Sequence, residues 1–381
     1  MEFLTFLFYM FVMLIVVSSY QMNWRNYNWL AIIVLALVLG LRGCGIDTLT
    51  YISQFHFYVN MDAGLFSPKY YDPYYDPLYE SDPRTEWFYL VLIKGIKMFS
   101  RSSVWYFLII DSLSVFLFDR FIRRFQKKEK MFIAFFLFTT LLFVQMFNAM
   151  RQCLAFMAFL NIVEFIGSRN WRKYYLGNLL LYAFHKSTLM LAPFYLFIHR
   201  DVLKSRLWQF VIYFTVAIFS VVFIGQLKAV MDMLYLALGG DGMLVKTSYL
   251  NSEEQGLEMK SSVMTVFFYS ATIIYVICHS VDFKKAYGQL GVVIYNFTFL
   301  GMVVNNIAFN RGVERMNDYF DSFLFIALGL MAYQSLFGYY RDKSIMKVFT
   351  YGLFVLYIAW FANSVLQGAA GCAPYVLNPE F

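Results

Sequence analysis

The stretch 103–147, "SVWYFLIIDSLSVFLFDRFIRRFQKKEKMFIAFFLFTTLLFVQMF", decides the fold. It reads as two apolar runs, 103–119 and 131–147, on either side of the basic segment "RFIRRFQKKEK" (120–130). A helix rises about 1.5 Å per residue and a bilayer's hydrocarbon core is about 30 Å thick, so about 20 apolar residues cross it. Both runs approach that length. The arginines and lysines between them mark a short loop kept on the cytoplasmic side.

The same pattern recurs along the chain. Further apolar runs lie at 2–20, 27–41, 151–167, 174–184, 187–199, 207–225, 261–279, 290–308, 316–336 and 347–366. The expected fold is all-α: one polytopic transmembrane helix bundle over residues 1–381, with about ten to fourteen spans. Composition agrees. Of 381 residues, 60% are hydrophobic and only 14% charged, and the mean hydropathy is +0.57; a soluble globule is about 25% charged. The net charge of +7 resides in short loops between spans, which points to membrane topology and not to nucleic acid. The first apolar run lacks a basic leader and a small-residue cleavage site, so no cleaved signal is expected. Cys44, Cys153, Cys278 and Cys372 are scattered without metal-ligand spacing, and no metal or cofactor is expected.

The basic segments "SRNWRK" (168–173), "RDVLKSR" (200–206), "FKK" (283–285) and "RDKSIMK" (341–347) share the cytoplasmic side with 120–130. They alternate correctly if 86–99, "EWFYLVLIKGIKMF", lies in the interface as a short helix. Loops 42–85 and 226–260 then face outward with both termini. A second condition concerns "FHKS" (184–187), which sits between runs of about 11 and 13 residues, each too short to cross alone. Either the two form a broken pair turning near the outer face, or they are one span with His185 inside. Non-helical backbone at membrane depth survives only beside protein or water, so both geometries make this stretch the wall of a polar cavity.

Other ionisable groups share that side. Arg42 and Asp47 follow the second span, Arg151 opens another, and Arg311 and Arg315 are four apart and share a helix face. Ionisable residues inside a bundle usually face its interior and mark function. Arginines with Lys186 suit a polyanion such as a diphosphate, because a guanidinium binds phosphate oxygens in bidentate fashion and stays charged. His185, or Asp47, suits removal of a proton from an attacking hydroxyl. In the outer loop, "KYYDPYYDPLYESDPR" (69–84) repeats Tyr-Tyr-Asp-Pro; Asp72 and Asp76 fit contacts to sugar hydroxyls.

Each assignment has a plainer rival. Arg151 and Lys186 could snorkel from helix ends. Arg311 and Arg315 could pair with Glu314 and Asp318. Asp47 could cap a turn, and the Tyr-Asp-Pro repeat could be turns and interfacial tyrosines. Asp111, in mid-span, needs a partner, and a structural hydrogen bond inside the bundle fits it better than catalysis.

In order, "RGCGIDTLTYISQF", "MRQCLAFMAFL", "FHKSTLMLAPFYLF" and a late Arg-x-x-x-Arg before Tyr-Phe resemble the EpsG family of Wzy-like exopolysaccharide and O-antigen polymerases. The likeness runs through Arg42 to Asp47, Arg151-Gln152 and Phe184 to Ser187. It implies a bacterial inner-membrane glycosyltransferase of GT-C-like logic that joins undecaprenyl-diphosphate-linked repeat units on the periplasmic or outer side. The reaction would be inverting and metal-independent. Donor and acceptor would both be lipid-linked glycans, and a chain-length-regulating copolymerase is a candidate partner. On that footing His185 and Asp47 are the catalytic candidates. Arg42, Arg151, Lys186, Arg311 and Arg315 are the diphosphate ligands, and Gln152, Tyr51, Asp72 and Asp76 are the acceptor contacts. The rivals are an O-antigen ligase, with the same donor and another acceptor, and a flippase for the lipid-linked unit. A flippase is often built from internal repeats, and no convincing repeat is visible.

Overall fold

The structure, a computed structural model, describes residues 1–22, 28–58, 86–140, 146–219, 263–307, 311–338 and 344–380. Loop 59–85, with Asp72 and Asp76, and loop 226–260 lie outside the described residues. Among those described the chain is helical, without a strand; one isolated antiparallel bridge joins Arg42 and Leu377. The helices are α1 Glu2–Ser19, α2 Trp29–Gly40, α3 Thr48–Ser53, α4 Trp87–Lys97, α5 Ser103–Ile122, α6 Lys127–Thr139, α7 Met150–Ile162, α8 Trp171–Phe184, α9 Arg206–Phe219, α10 Val263–Ile307, α11 Arg311–Phe337 and α12 Ser344–Leu366. A π-helical turn, Gln54–Tyr58, follows α3, and a 3₁₀ segment, Lys186–Leu196, follows α8.

Five stretches among the described residues are long and apolar enough to cross a membrane: Glu2–Ser19, Met150–Gly167, Phe267–Val304, Tyr319–Phe337 and Ser344–Leu366. The α2 and α9 helices are apolar but shorter. The polytopic helical reading stands. The α5 helix has 20 residues but carries Asp111, Asp119 and Arg120. Helix α8 stops after 14 residues. Runs 261–279 and 290–308 fall in the two helices of α10, which meet at the non-helical backbone of Gly288, with φ of +54° and ψ of −135°, a conformation that glycine tolerates.

The chain divides into two compact units. The first comprises Met1–Val163, Arg172–Ala192 and Ile358–Phe381. In it α5 packs on α2 and α7, and α1 packs on α2 and α6. Caps start these helices where the sequence supplies them: Asn28 accepts from the Ala31 amide at 3.3 Å, and Ser102 from the Val104 amide at 3.3 Å. Such caps satisfy amide donors that a first turn leaves without partners. The C-terminal tail returns to the loop after α2. The Gly43 amide donates to Val376 O (2.6 Å), the Gly45 amide to Gly371 O (2.9 Å) and the Asn378 amide to Leu41 O (2.9 Å). Gly45 is required here: its φ is +114°, and a Cβ would sit 2.5 Å from Phe147 O. The α4 helix forms within the segment expected at the interface. It buries Tyr89, Leu90, Ile93 and Ile96 in the core of this unit, and Lys94 is only 1% exposed.

The second unit comprises Glu164–Trp171 and Pro193–Tyr357. Here α10 and α11 pack through stacked rings, Phe297 on Phe323 at 4.5 Å. Asp282 accepts from Arg206 at 2.9 Å, and Lys284 donates to Asp201 Oδ1 and Leu203 O, both at 2.6 Å. The basic segments 200–206 and 283–285, read as lying on one membrane side, are thus held together by ion pairs.

Candidate active site

Three elements of the first unit meet around one carboxylate. Glu86 is the N-cap of α4, with extended backbone (φ −67°, ψ 127°), and its side chain makes no capping bond to its own helix. The carboxylate turns instead to α7 and to the end of α8. Arg151, the second residue of α7, donates from Nη1 to Glu86 Oε2 at 3.0 Å. The Lys186 amide, at the start of the 3₁₀ segment, donates to Glu86 Oε1 at 3.0 Å. His185 Nδ1 lies 3.3 Å from the same oxygen, without the alignment of a full hydrogen bond.

The break that places His185 follows from how α8 ends. The His185 amide still donates to Leu181 O at 2.9 Å, and the chain then tightens into the 3₁₀ segment that contains Pro193. Eleven residues of 3₁₀ helix is long for a conformation that rarely exceeds three or four. Thr188 steadies the turn by donating from both its amide (3.1 Å) and its hydroxyl (2.9 Å) to His185 O. Of the two geometries open at "FHKS", the structure adopts the broken pair.

The floor of the site is aromatic. The Arg151 guanidinium lies over the Tyr89 ring, 4.6 Å from its centre, a cation–π arrangement. Tyr89 donates to Gln54 Oε1 at 3.1 Å and shares a hydrogen bond with the Tyr106 hydroxyl. Phe88 packs edge-on against Phe184 at 4.4 Å, joining α4 to the end of α8. Tyr51, Phe55, Phe107, Met150 and Leu154 complete the apolar support. The charged tips are more open: Arg151 and His185 side chains are 25% and 21% exposed, Glu86 only 7%.

Burial pushes the Glu86 carboxyl upward. The approach of His185, the charge of Arg151 and the Lys186 amide outweigh it and hold the carboxyl at about 2. Glu86 is therefore an anion, and an acceptor, at any physiological pH. Burial likewise raises the Tyr51 hydroxyl, and the charge of Arg151 draws it back.

The sequence-predicted residues separate into groups. Arg151, His185 and Lys186 come together, Lys186 through its backbone. Gln152 is buried on α7 beside Arg151. Tyr51 joins the aromatic floor. Asp47 is the half-buried N-cap of α3 without a side-chain capping bond, and the Tyr51 amide donates to its carbonyl at 3.0 Å. The adjoining Ile46 amide donates to Asn148 Oδ1 at 2.7 Å, which ties that loop to the segment leading into α7.

Arg42 departs from its expected role. It is fully buried and paired with Asp111, donates to Leu39 O, reaches Met146 O at 3.0 Å and lies over Phe107 and Phe147. Its guanidinium holds the bundle together and is not presented to a ligand. Arg311 and Arg315 lie one turn apart at the start of α11 in the second unit; their side chains are outside the described residues. Sequence reasoning missed Glu86. Its signal was faint: the last of several carboxylates in a polar stretch, directly ahead of a short amphipathic helix.

The model of the EpsG family matches residues 26–377. No curated protein and no solved structure matches the chain.

Proposed function

Because the chain belongs to the EpsG family, a family of Wzy-like polymerases, we propose that it is a membrane glycosyltransferase that polymerises undecaprenyl-diphosphate-linked oligosaccharide repeat units. The transfer takes place on the outer side of the plasma membrane. The observation that carries this reading is the convergence of Arg151 and His185 on Glu86 at a partly open helix break. It puts a permanent cation beside a proton acceptor, over a floor of buried aromatics.

Those groups support the following reaction. An acceptor sugar hydroxyl attacks the anomeric carbon of the donor. The new glycosidic bond forms as the bond to the diphosphate breaks on the opposite face, which inverts the configuration. His185 takes the hydroxyl proton, and the electron pair leaves on the lipid diphosphate. Charge on that leaving group is met by Arg151, with Lys186 as a further cation. Fixed positive charge where charge develops stabilises the transition state. Asp47, Tyr51 and Gln152, on α3 and α7, take the acceptor side with the Tyr-Asp-Pro loop.

The size distribution of lipid-linked and surface glycan separates this reading from its rivals. Cells lacking the protein should deliver single repeat units to the surface with no ladder, and Arg151→Ala at equal protein level should reproduce that. Long chains left on their lipid would mean a ligase. Units trapped on the cytoplasmic leaflet would mean a flippase.

A further inference from the structure

We infer that Glu86 is the positioning residue of this site: its buried carboxylate holds His185 with Nδ1 protonated and Nε2 turned toward substrate, and anchors Arg151 beside it. The inference rests on the assignment of Arg151 and His185 to the transfer reaction. It adds a residue to which neither the family match nor the sequence pattern gives a role.

Four observations carry it. First, Glu86 contributes no capping bond to α4, although it occupies the N-cap, where a side-chain oxygen ordinarily accepts from the first turn. Its side chain faces away from its own helix. Second, three donors from two other elements converge on its two oxygens: Arg151 Nη1 at 3.0 Å, the Lys186 amide at 3.0 Å and His185 Nδ1 at 3.3 Å. A simple staple between two helices needs one such contact. Third, His185 Nδ1 is buried and has no full hydrogen bond among the described residues, so Glu86 Oε1 is the acceptor placed to receive its N–H. Hydrogen bonds of this kind are often long before substrate binds and tighten in the complex. Fourth, Glu86 is 7% exposed behind partners that are 21% and 25% exposed. The carboxylate lies behind, and the working tips lie in front.

The chemistry gives the arrangement its purpose. A neutral imidazole has one nitrogen to donate and one to accept, and the partner of the first decides which is which. A carboxylate on Nδ1 leaves the Nε2 lone pair for the acceptor hydroxyl and steadies the imidazolium formed when that proton arrives. The same carboxylate fixes the Arg151 guanidinium through Nη1. The Arg151 side chain stays 25% exposed, so the guanidinium can still meet an anion from its open side. One residue thus sets the spacing between the group that receives the proton and the group that receives the leaving charge.

The test uses full-length protein in nanodiscs, supplied with the lipid-linked single units extracted from cells that lack it. Glu86→Gln keeps shape and one acceptor oxygen but loses the charge; kcat should fall at least about 10-fold and up to about 10⁴-fold, as when a carboxylate that orients a catalytic histidine becomes an amide, with KM changed far less. Glu86→Ala should be slower still, and added formate should restore part of its rate by filling the vacated carboxylate site. Wild-type kcat in Glu86→Gln would overturn the inference. So would a loss in Glu86→Ala that formate leaves untouched and that follows only the amount of folded protein. If Arg151→Ala and His185→Ala are inactive while the Glu86 variants are not, only this inference fails. If Arg151→Ala and His185→Ala are active, the functional reading fails with it.

Discussion

Removing the Asp111 carboxylate should destabilise the first unit through Arg42, a buried pair that includes none of the site's charged groups. Asp111 and Arg42 are both fully buried and paired. Arg42 has further partners in Leu39 O, Met146 O and the faces of Phe107 and Phe147, but none of these carries a negative charge. Asp111→Ala therefore leaves a buried guanidinium without its counter-charge, which costs about 3–5 kcal/mol. For a cooperative unit of this size each kcal/mol moves the melting midpoint by about 2–4 °C, so the drop should fall between about 6 and 20 °C. Replacing both partners by apolar residues, Arg42→Met with Asp111→Leu, should recover most of it, because a well-packed apolar pair substitutes for a buried ion pair at little cost. The assay is thermal loss of the monodisperse peak in detergent for the wild type, the two single variants and the double variant. If Asp111→Ala melted with the wild type, or the double variant fell as far as the singles added together, the purely structural role of Arg42 would be refuted.

Further outcomes follow from the same geometry. The Glu86 carboxyl is held at about 2 against an ordinary 4.5, so its contribution, on the order of 3 kcal/mol, is complete above about pH 4.5 and lost as pH falls toward 2; wild-type melting should drop over that window, and Glu86→Gln should remove that part of the slope. Gly45→Ala forces a Cβ against Phe147 O at 2.5 Å at a positive φ and should cost about 1–3 kcal/mol, read as a lower midpoint with reduced polymer. Truncation after Gly371 removes the amide-to-carbonyl pairs that tie the tail to residues 41–43; protease should then cut the loop near Cys44 faster than in the full chain.

The fold was legible because membrane spans impose a coarse rule: apolar length and basic loops read directly from residues such as 120–130. The count of full-length spans was less legible, since it depends on where helices stop. Pro193 lies inside an apolar run that looks continuous, and the 3₁₀ segment around it is a local event that hydropathy alone does not mark. Arg151 and His185 stood out because ionisable residues are rare in such runs. Arg42 stood out for the same reason and belonged elsewhere. The discriminating fact was Asp111, a mid-span carboxylate in need of a partner; matching it to Arg42 requires the α2–α5 packing that no spacing rule supplies. Glu86 was hidden for the opposite reason. It follows a polar, Asp- and Pro-rich stretch in which a carboxylate is unremarked, and its partner Arg151 is 65 residues away.

The most direct test of the central claim is polymerisation by the purified full-length protein alone, in nanodiscs, given only lipid-linked single repeat units. The account predicts a ladder of longer glycans still attached to lipid diphosphate, with release of free lipid diphosphate, and none with Arg151→Ala or His185→Ala. Single units left unchanged by well-folded wild-type protein, or a full ladder made by both variants, would contradict it.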